Sequence, residues 1–204
     1  MSSKSGVSVT RDQVEDLLAA MEELASLEVL VGVPESEADR DDDDQKEPVT
    51  NAALLYIHDH GAPEANIPAR PSMLPGIERV EDQIGAALYQ GAKAATQLPN
   101  PRAGKTARRV LARLEIEKAY HRAGMLASTS IKNVISQGIG PALADSTLRN
   151  RAQRGRKGAQ EELDRRAQGE QPGIDLAKPL VDTGEMRAAI TYVIRPRADR
   201  KEES

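Results

Sequence analysis

Residues 48–77, PVTNAALLYIHDHGAPEANIPARPSMLPGI, hold the pattern that decides the fold of this chain. A short apolar helix pattern over 49–58 leads to Gly61, and a proline-rich turn over 67–71 (IPARP) precedes a second helix. Each proline fixes its own φ and restricts the residue before it, so the turn is rigid before anything binds to it. The rigid turn contains no catalytic residue types. It therefore indicates positioning rather than chemistry.

The composition limits both the core and the chemistry. The chain has 204 residues with no Phe, no Trp and four Tyr, so its core must consist of Leu, Ile, Val, Ala and Met. Aromatic side chains bury the most area, so a core without them is thin and we expect partner subunits to supply part of the stability. The absence of Cys excludes disulfides, thiolate metal sites and cysteine nucleophiles. Without a long apolar run or a signal-peptide core, we expect a soluble protein made in the cytoplasm, with no membrane partner.

Charge is distributed unevenly along the chain. Residues 1–64 hold 4 Lys and Arg against 16 Asp and Glu, a net charge of −12. Residues 65–204 hold 24 against 16, a net charge of +8. The asymmetry bears on docking rather than on fold. Either it is a solvated surface with chance clustering, or it provides electrostatic complementarity between neighbouring copies or with an adjacent ring.

Apolar periodicity predicts several helices and a strand near each end of the chain. Helices are expected over 11–25, from 77 to about 97 and over 105–137, the longest. Strands are expected over 27–33 and 190–194. The strands can bury their apolar faces only in one sheet covered by helices. We therefore predict an α+β fold with a small, mostly antiparallel sheet packed against two or three helices, one of them long, and with extended charged loops.

The predicted organisation is one domain with flanking segments. An N-terminal arm with an amphipathic helix is expected over 1–26, a single α+β domain over 27–195 and a disordered tail over 196–204. Within the domain, 35–48 and 139–178 are expected to be mobile loops, because they hold many charges and few large apolar residues.

Three patterns suggest a reactive site, but each is weak. The segment 58–60, His-Asp-His, lies at the end of a helix pattern, where positions two apart do not face each other, so a capping or interface role is favoured over a metal site. The acidic run 39–44 lacks the Gly and Glu that a calcium-binding loop needs. The AGKT stretch at 103–106 lacks the first glycine of a phosphate-binding loop, where Pro99 stands. We therefore predict no catalytic residue, no metal site and no cofactor.

A basic segment follows residue 145, where Asp145 or Ser146 could cap a short helix. Its five positive charges could contact phosphates without recognising base sequence, although no aromatic side chains are interleaved for base stacking. The alternatives are a solvated helix face and a contact with an acidic partner or with the loop over 35–47. The candidates for contacting a partner or the DNA backbone are Arg149, Arg151, Arg154, Arg156 and Lys157.

Four pieces of sequence in a fixed order carry a family resemblance. They are 29–34 (VLVGVP) after an N-terminal helix, 51–61 (NAALLYIHDHG), 67–71 (IPARP) and 178–184 (KPLVDTG). Residues 140–148 match more weakly. With these pieces the chain resembles the neck, or tail-completion, proteins of tailed bacteriophages. The family usually has an aromatic residue and a leucine after Arg-Pro, whereas this chain has Ser-Met.

The resemblance implies a non-enzymatic structural protein of the virion. Copies would form a homo-oligomeric ring in the neck, around the channel through which DNA passes. The implied partners are head–tail connector or portal-adaptor proteins and tail terminator or tail tube proteins, with non-specific contact to genomic DNA as an option. Assembly would take place in the cytoplasm of the bacterial host. The alternatives are a tail terminator or collar protein and, from another class, a DNA-binding assembly factor.

The resemblance also suggests a role for the rigid turn and the acidic loop. A preset turn can present Arg70 to a neighbouring subunit at a small entropic cost. An acidic loop can become ordered when it docks on an adjacent ring. The subunit-interface candidates are Ile67, Pro68, Arg70, Pro71 and Met73, and the acidic docking candidates are Asp41, Asp42, Asp43 and Asp44.

Overall fold

The structure is a computed structural model that describes residues 14–34, 49–97 and 104–197. It is rich in helix and has one small sheet, so the predicted α+β fold is confirmed. A short 3-10 helix lies over Pro63–Ala65. In chain order the other elements are α1 (Val14–Ser26), β1 (Leu27–Gly32), α2 (Asn51–His60), α3 (Met73–Glu78), α4 (Glu81–Thr96), α5 (Lys105–Gln137), α6 (Asp145–Gln153), α7 (Lys157–Ala167), α8 (Glu185–Ala189) and β2 (Thr191–Pro196).

The two strands pair as the sequence predicted. β1 and β2 form a two-stranded antiparallel sheet, in which the Arg197 N–H donates to the Ser26 carbonyl oxygen at 2.8 Å. In the same register Arg195 Nε lies 2.7 Å from Glu28 Oε1. A helix-rich chain thus closes its small sheet with strands from opposite ends of the sequence.

The long helix α5 has the bounds that the sequence predicted. Its 33 residues give a length of about 50 Å. Six residues at helical spacing share one face of this helix, and all of them are buried. These residues are Ile116, Tyr120, Ala123, Ala127, Ile131 and Val134.

The described residues divide into two compact units that differ from the predicted single domain over 27–195. The long α5 is the reason, because its N-terminal part belongs to one unit and its C-terminal part to the other. Unit 1 comprises 14–28, 85–97, 104–123 and 194–197, and unit 2 comprises 29–34, 49–84 and 124–193.

Unit 2 is built around a core of aliphatic side chains. Leu55 of α2, Ile131 and Ile135 of α5, Met186 of α8 and the following Ile190 pack together. Burying one aliphatic side chain of this size contributes about 1.5–3 kcal/mol, so this cluster is a major source of stability for the unit.

The segment between α2 and α3 folds into a compact turn. Gly61 ends α2 with φ of 81°. Ala62 and Ile67 form an antiparallel bridge, and the Arg70 N–H donates to the His58 carbonyl oxygen at 2.7 Å. The turn is therefore held by backbone hydrogen bonds as well as by its prolines.

Replacing Gly61 by Ala is expected to lower the free energy of unfolding by about 1–3 kcal/mol. A Cβ at this position would lie 2.8 Å from Ala69 N, and its positive φ strains any L side chain. Urea unfolding followed by circular dichroism measures the change. Gly85→Ala in α4 is the control, since a Cβ there meets nothing within 4 Å and Ala favours helix. Equal free energies for Gly61→Ala and the unmodified chain would contradict the expectation.

Helices α6 and α7 lie within 139–178, so the prediction of a mobile loop over that range is wrong, whereas the short helix expected after residue 145 is present as α6. Leu148 of α6 and Ala159 of α7 are buried in a second apolar cluster with Leu143 and Ala177. The α7 sequence, KGAQEELDRRA, consists mostly of residues with high helix propensity. Its many charges suggested a loop, but several of them pair with one another.

A buried carboxylate joins α7 to the segments around it. Glu162 is fully buried and accepts hydrogen bonds from Gly173 N at 2.7 Å and Arg166 Nε at 3.0 Å. Arg166 also donates to Asp145 Oδ1 at 2.7 Å and to the Leu143 carbonyl oxygen at 2.8 Å. Asp145 is thus the first residue of α6 and an ion-pair partner of α7, rather than the predicted cap.

The environment of Glu162 favours its charged form. Burial by itself raises the pKa of this carboxyl. The Gly173 N–H and the Arg166 and Arg165 guanidinium groups outweigh burial and hold the pKa below its ordinary value of 4.5. Glu162 is therefore ionised at neutral pH and forms a hydrogen-bonded buried ion pair.

Candidate functional sites

The predicted interface residues of the turn differ in their exposure to solvent. Pro68 and Pro71 are exposed, whereas Ile67 and Met73 are partly buried. Arg70 is only 5% exposed, and its Nη2 donates to the Pro141 carbonyl oxygen at 2.9 Å. The prediction that the turn presents Arg70 to a neighbouring subunit is therefore wrong. The extended backbone directs this side chain into unit 2, which leaves the prolines on the surface.

Asp59 has a structural role that sequence reasoning missed. Its Oδ1 accepts from Ser72 N at 2.6 Å, Ser72 Oγ at 3.1 Å and Met73 N at 3.0 Å. The carboxylate thus caps α3 from the end of α2. The neighbouring His60 ring stacks on Tyr56, with centroids 4.3 Å apart. Among the described residues, no group of three or more His, Cys, Asp or Glu could hold a metal ion.

The predicted basic segment does not form one continuous surface. Arg151 is buried and donates to the Lys178 carbonyl oxygen at 2.9 Å. Arg154 Nη1 lies 3.2 Å from Asp182 Oδ2, and Arg156 Nε lies 3.1 Å from Asp182 Oδ1. Asp182 thus neutralises part of the segment, and the large sequence separation hid this partner. The remaining two candidates, Arg149 and Lys157, are exposed.

A cleft in unit 2 brings the proline turn and the basic helix α6 together. Its volume of ≈ 660 Å³ lies within the range of ordinary ligand sites, roughly 300–1,000 Å³. The charged and titratable residues that line it are His58, Arg70, Arg151, Arg154, Asp182 and Glu185.

The arginines of this cleft lie close enough to affect one another. Burial lowers the pKa of Arg70, and the charge of Arg151 lowers it further. Burial also lowers the pKa of Arg151, an effect that Asp182 opposes. The pKa of His58 lies below its ordinary value of 6.5 because of burial and then of the two arginine charges. His58 is therefore neutral at pH 7, and the formal charges of the lining are those of three arginines and two carboxylates.

Unit 1 buries mostly small side chains, together with Leu27, Ile116 and Tyr120, and exposes several large apolar ones. Ala20, Ala112 and Ala119 are buried, and a Cβ on Gly91 would collide with that of Ala119, so α4 and α5 approach closely. The apolar stripe predicted for α1 is present but is 49–60% exposed. On the adjoining part of α5, three more apolar side chains are 37–54% exposed. The exposed residues are Val14, Leu17, Leu18 and Met21 of α1 and Val110, Leu111 and Leu114 of α5.

Ion pairs hold α1 in its position within unit 1. Arg109 of α5 lies 3.1 Å from Glu22 Oε2 and 3.8 Å from Glu23 Oε1. The Tyr120 hydroxyl donates to the Leu24 carbonyl oxygen at 2.6 Å. These contacts connect α1 to α5 while the Val14–Met21 stripe remains on the outside.

The acidic docking candidates Asp41, Asp42, Asp43 and Asp44 lie outside the described residues. The same holds for residues 11–13 of the predicted first helix and for residues 198–204 of the predicted tail. The predictions made for these residues therefore stay predictions.

Comparisons of this chain with protein-family models, with curated proteins and with solved structures found no match. None of the described helices combines the length and the apolar character that crossing a membrane requires.

Proposed function

We propose that this chain is a non-enzymatic structural subunit of a tailed bacteriophage, which forms a ring in the neck and joins the head connector to the tail around the DNA channel. The observation that carries the proposal is the burial pattern of unit 1. Its interior holds mainly Ala and Gly, with Leu27, Ile116 and Tyr120, whereas seven leucine, valine and methionine side chains of α1 and α5 lie outside. Apolar surfaces of this kind are characteristic of protein–protein interfaces.

The size of this surface suits association between copies. Burying one Leu, Val or Met side chain contributes about 1.5–3 kcal/mol. Association costs roughly 4–15 kcal/mol in lost freedom of motion. One side chain cannot offset that cost. The seven side chains of α1 and α5 are 37–60% exposed, so burying what remains exposed gives about half of the full value for each, and their sum is of the same order as the cost.

The pieces that carry the resemblance contribute to one core, which also supports the proposal. Val31 and Val33 from the first piece, Leu55 from the second and Val181 from the fourth pack in the main cluster of unit 2. The third piece, 67–71, forms the turn that precedes α3. Residues in a fixed order along the sequence therefore serve one structural purpose, as expected of a family fold.

The DNA-binding alternative has less support. Phosphate contacts need exposed, unneutralised cations. Asp182 pairs with Arg154 and Arg156, and Arg151 is buried, so the basic segment offers fewer free charges than its sequence suggests.

Replacing Leu17 by Asp is expected to dissociate the oligomer. A charge in the middle of the α1 stripe would be buried without a partner in the interface, and we expect association to weaken at least tenfold, about 1.4 kcal/mol or more. Sedimentation velocity at physiological and high salt measures it, and an apolar interface should persist at both. Leu74→Asp is the matched control, because Leu74 is 63% exposed but lies in unit 2. A monomer at high concentration, or identical behaviour of both variants, would contradict the prediction.

The place of the protein in the virion requires a separate experiment. Mass spectrometry of purified particles should detect the chain, and cryo-electron microscopy should locate it between head and tail. Its absence from finished particles would refute the neck role even if the purified protein forms rings.

A further inference from the structure

The cleft over α6 and the proline turn has an excess of positive charge. Arg70, Arg151 and Arg154 line it together with two carboxylates, of which Asp182 also pairs with Arg156 outside the cleft wall. A buried charge is unfavourable unless it is paired and hydrogen-bonded. An anionic ligand would supply the negative charge that the cleft lining lacks.

Arg70 shows the deficit most clearly. Arg70 is 95% buried, and its Nε has no hydrogen-bond partner. Its one side-chain hydrogen bond goes to a carbonyl oxygen, that of Pro141. Over the described ranges 14–34, 49–97 and 104–197, no Asp or Glu forms a salt bridge with it. A guanidinium with this burial normally has a carboxylate or phosphate partner.

The shape of the site favours a narrow ligand. Arg70 and Arg151 are less than 10% exposed, whereas the Arg154 side chain is 62% exposed. A carboxylate on a flexible segment can enter the cleft and contact Arg154 while it interacts electrostatically with the two buried arginines. A DNA duplex is too wide to approach buried groups in this way.

We propose that this cleft binds the acidic segment 37–47 of a neighbouring copy of the chain, with its carboxylates facing Arg70, Arg151 and Arg154. This segment carries seven of the acidic residues that give 1–64 a net charge of −12, whereas 65–204, which includes the cleft residues except His58, has +8. Charge complementarity of this kind sets the partner and the register of an interface. The inference rests on the proposed ring, whose copies would present the segment to one another.

A labelled peptide tests the site directly. The probe is residues 35–48 with a fluorophore, and the protein is the full chain with Asp41→Asn, Asp42→Asn, Asp43→Asn and Asp44→Asn, so that its own segment does not compete. Fluorescence anisotropy should show binding that weakens with salt. A peptide with the same four Asn substitutions should not bind. Equal binding of both peptides would overturn the proposal.

Two arginines on α6 provide the matched variants. Arg154→Gln should weaken peptide binding about tenfold, the effect of one charge-assisted hydrogen bond. Arg149→Gln, which removes the same charge from an exposed position outside the cleft lining, should leave binding unchanged. Loss of binding in both variants to the same extent would refute the cleft as the site. Binding of inorganic phosphate without binding of the peptide would replace the acidic segment by a small anion and overturn the proposal.

Mixing two variants shows whether the segment comes from a neighbour. The Asn-substituted chain retains its cleft, and the Arg154→Gln chain retains its acidic segment, so salt-sensitive association should be about tenfold stronger in the mixture than for the Arg154→Gln chain alone. Absence of this difference would place the segment in its own cleft and refute the role of a neighbouring copy. Peptide binding is also measured on the Leu17→Asp variant, which is expected to be dissociated, because binding of the peptide to the cleft does not require the ring. Failure there refutes the cleft, whereas failure of the unmodified chain to oligomerise refutes the proposed function.

Discussion

Replacing Glu162 by Ala is expected to lower the free energy of unfolding by about 3–5 kcal/mol. The substitution removes one of the two carboxylates that pair with the mostly buried Arg166 guanidinium, leaving Asp145 as the other, and it leaves the Gly173 N–H without its Glu162 acceptor. Breaking a buried ion pair on one side costs more than the pair itself contributes, because the remaining charge stays desolvated. The α6–α7 segment and the chain around Gly173 should lose their order first.

Urea unfolding and hydrogen exchange measure this effect. Glu161→Ala is the matched control, since Glu161 is the neighbouring residue of the same helix and is exposed. We expect the control to change the free energy of unfolding by less than about 0.5 kcal/mol. If both variants lose the same stability, the contribution of Glu162 comes from helix propensity and the ion pair is not responsible.

The same carboxylate predicts how stability changes with pH. Its folded-state pKa lies below the ordinary value of 4.5, so ionised Glu162 stabilises the fold above that pH. This contribution is lost as the pH falls below 4.5 and through the lower folded-state pKa. Glu162→Gln removes the titrating group, and its stability should fall less steeply in this range, by up to about 1.4 kcal/mol per pH unit. Parallel curves for the variant and the unmodified chain would refute the linkage.

Ile131→Ala is expected to lower the free energy of unfolding by about 2–5 kcal/mol. Ile131 is 0% exposed in the centre of the unit 2 core. The backbone of α3 lies directly against it, because a Cβ on Gly76 would be 2.6 Å from Ile131 Cγ1. Neighbouring helices can fill the resulting cavity only in part, so the loss exceeds the transfer free energy of the missing atoms.

Calorimetry or urea unfolding measures this loss, with Met125→Ala as the control on the same helix. Met125 is 53% exposed, so its truncation should change stability by less than about 0.5 kcal/mol. Similar losses in the two variants would indicate that the core of unit 2 is not centred on Ile131.

Where an element depends on its own periodic pattern, the sequence predicted it well. The bounds and buried face of α5 followed from apolar spacing over 105–137, and the two strands from alternating apolar residues at the ends of the chain. Gly61 was correctly predicted to end α2, because a glycine after an apolar helix is a local signal.

Partners that are distant in sequence could not be predicted. Asp182 meets Arg154 and Arg156 across a large separation, and Asp59 caps a helix that begins at Met73. For the same reason the part of 139–178 that forms α7 was expected to be a loop. A single buried charge is unfavourable in a core. This segment tolerates the buried Glu162 because its carboxylate is paired and hydrogen-bonded.

By itself, the sequence determined the periodic elements, the rigid turn, the absence of thiol chemistry and the thin aliphatic core, because each depends on residue type and local spacing. Only the tertiary structure decided that Arg70 is buried, that the stripe on α1 is exposed and that a positive cleft forms between the turn and α6. Such features depend on which distant surfaces meet when the chain folds. A side chain's environment is a property of its neighbours in space, and local spacing does not contain it.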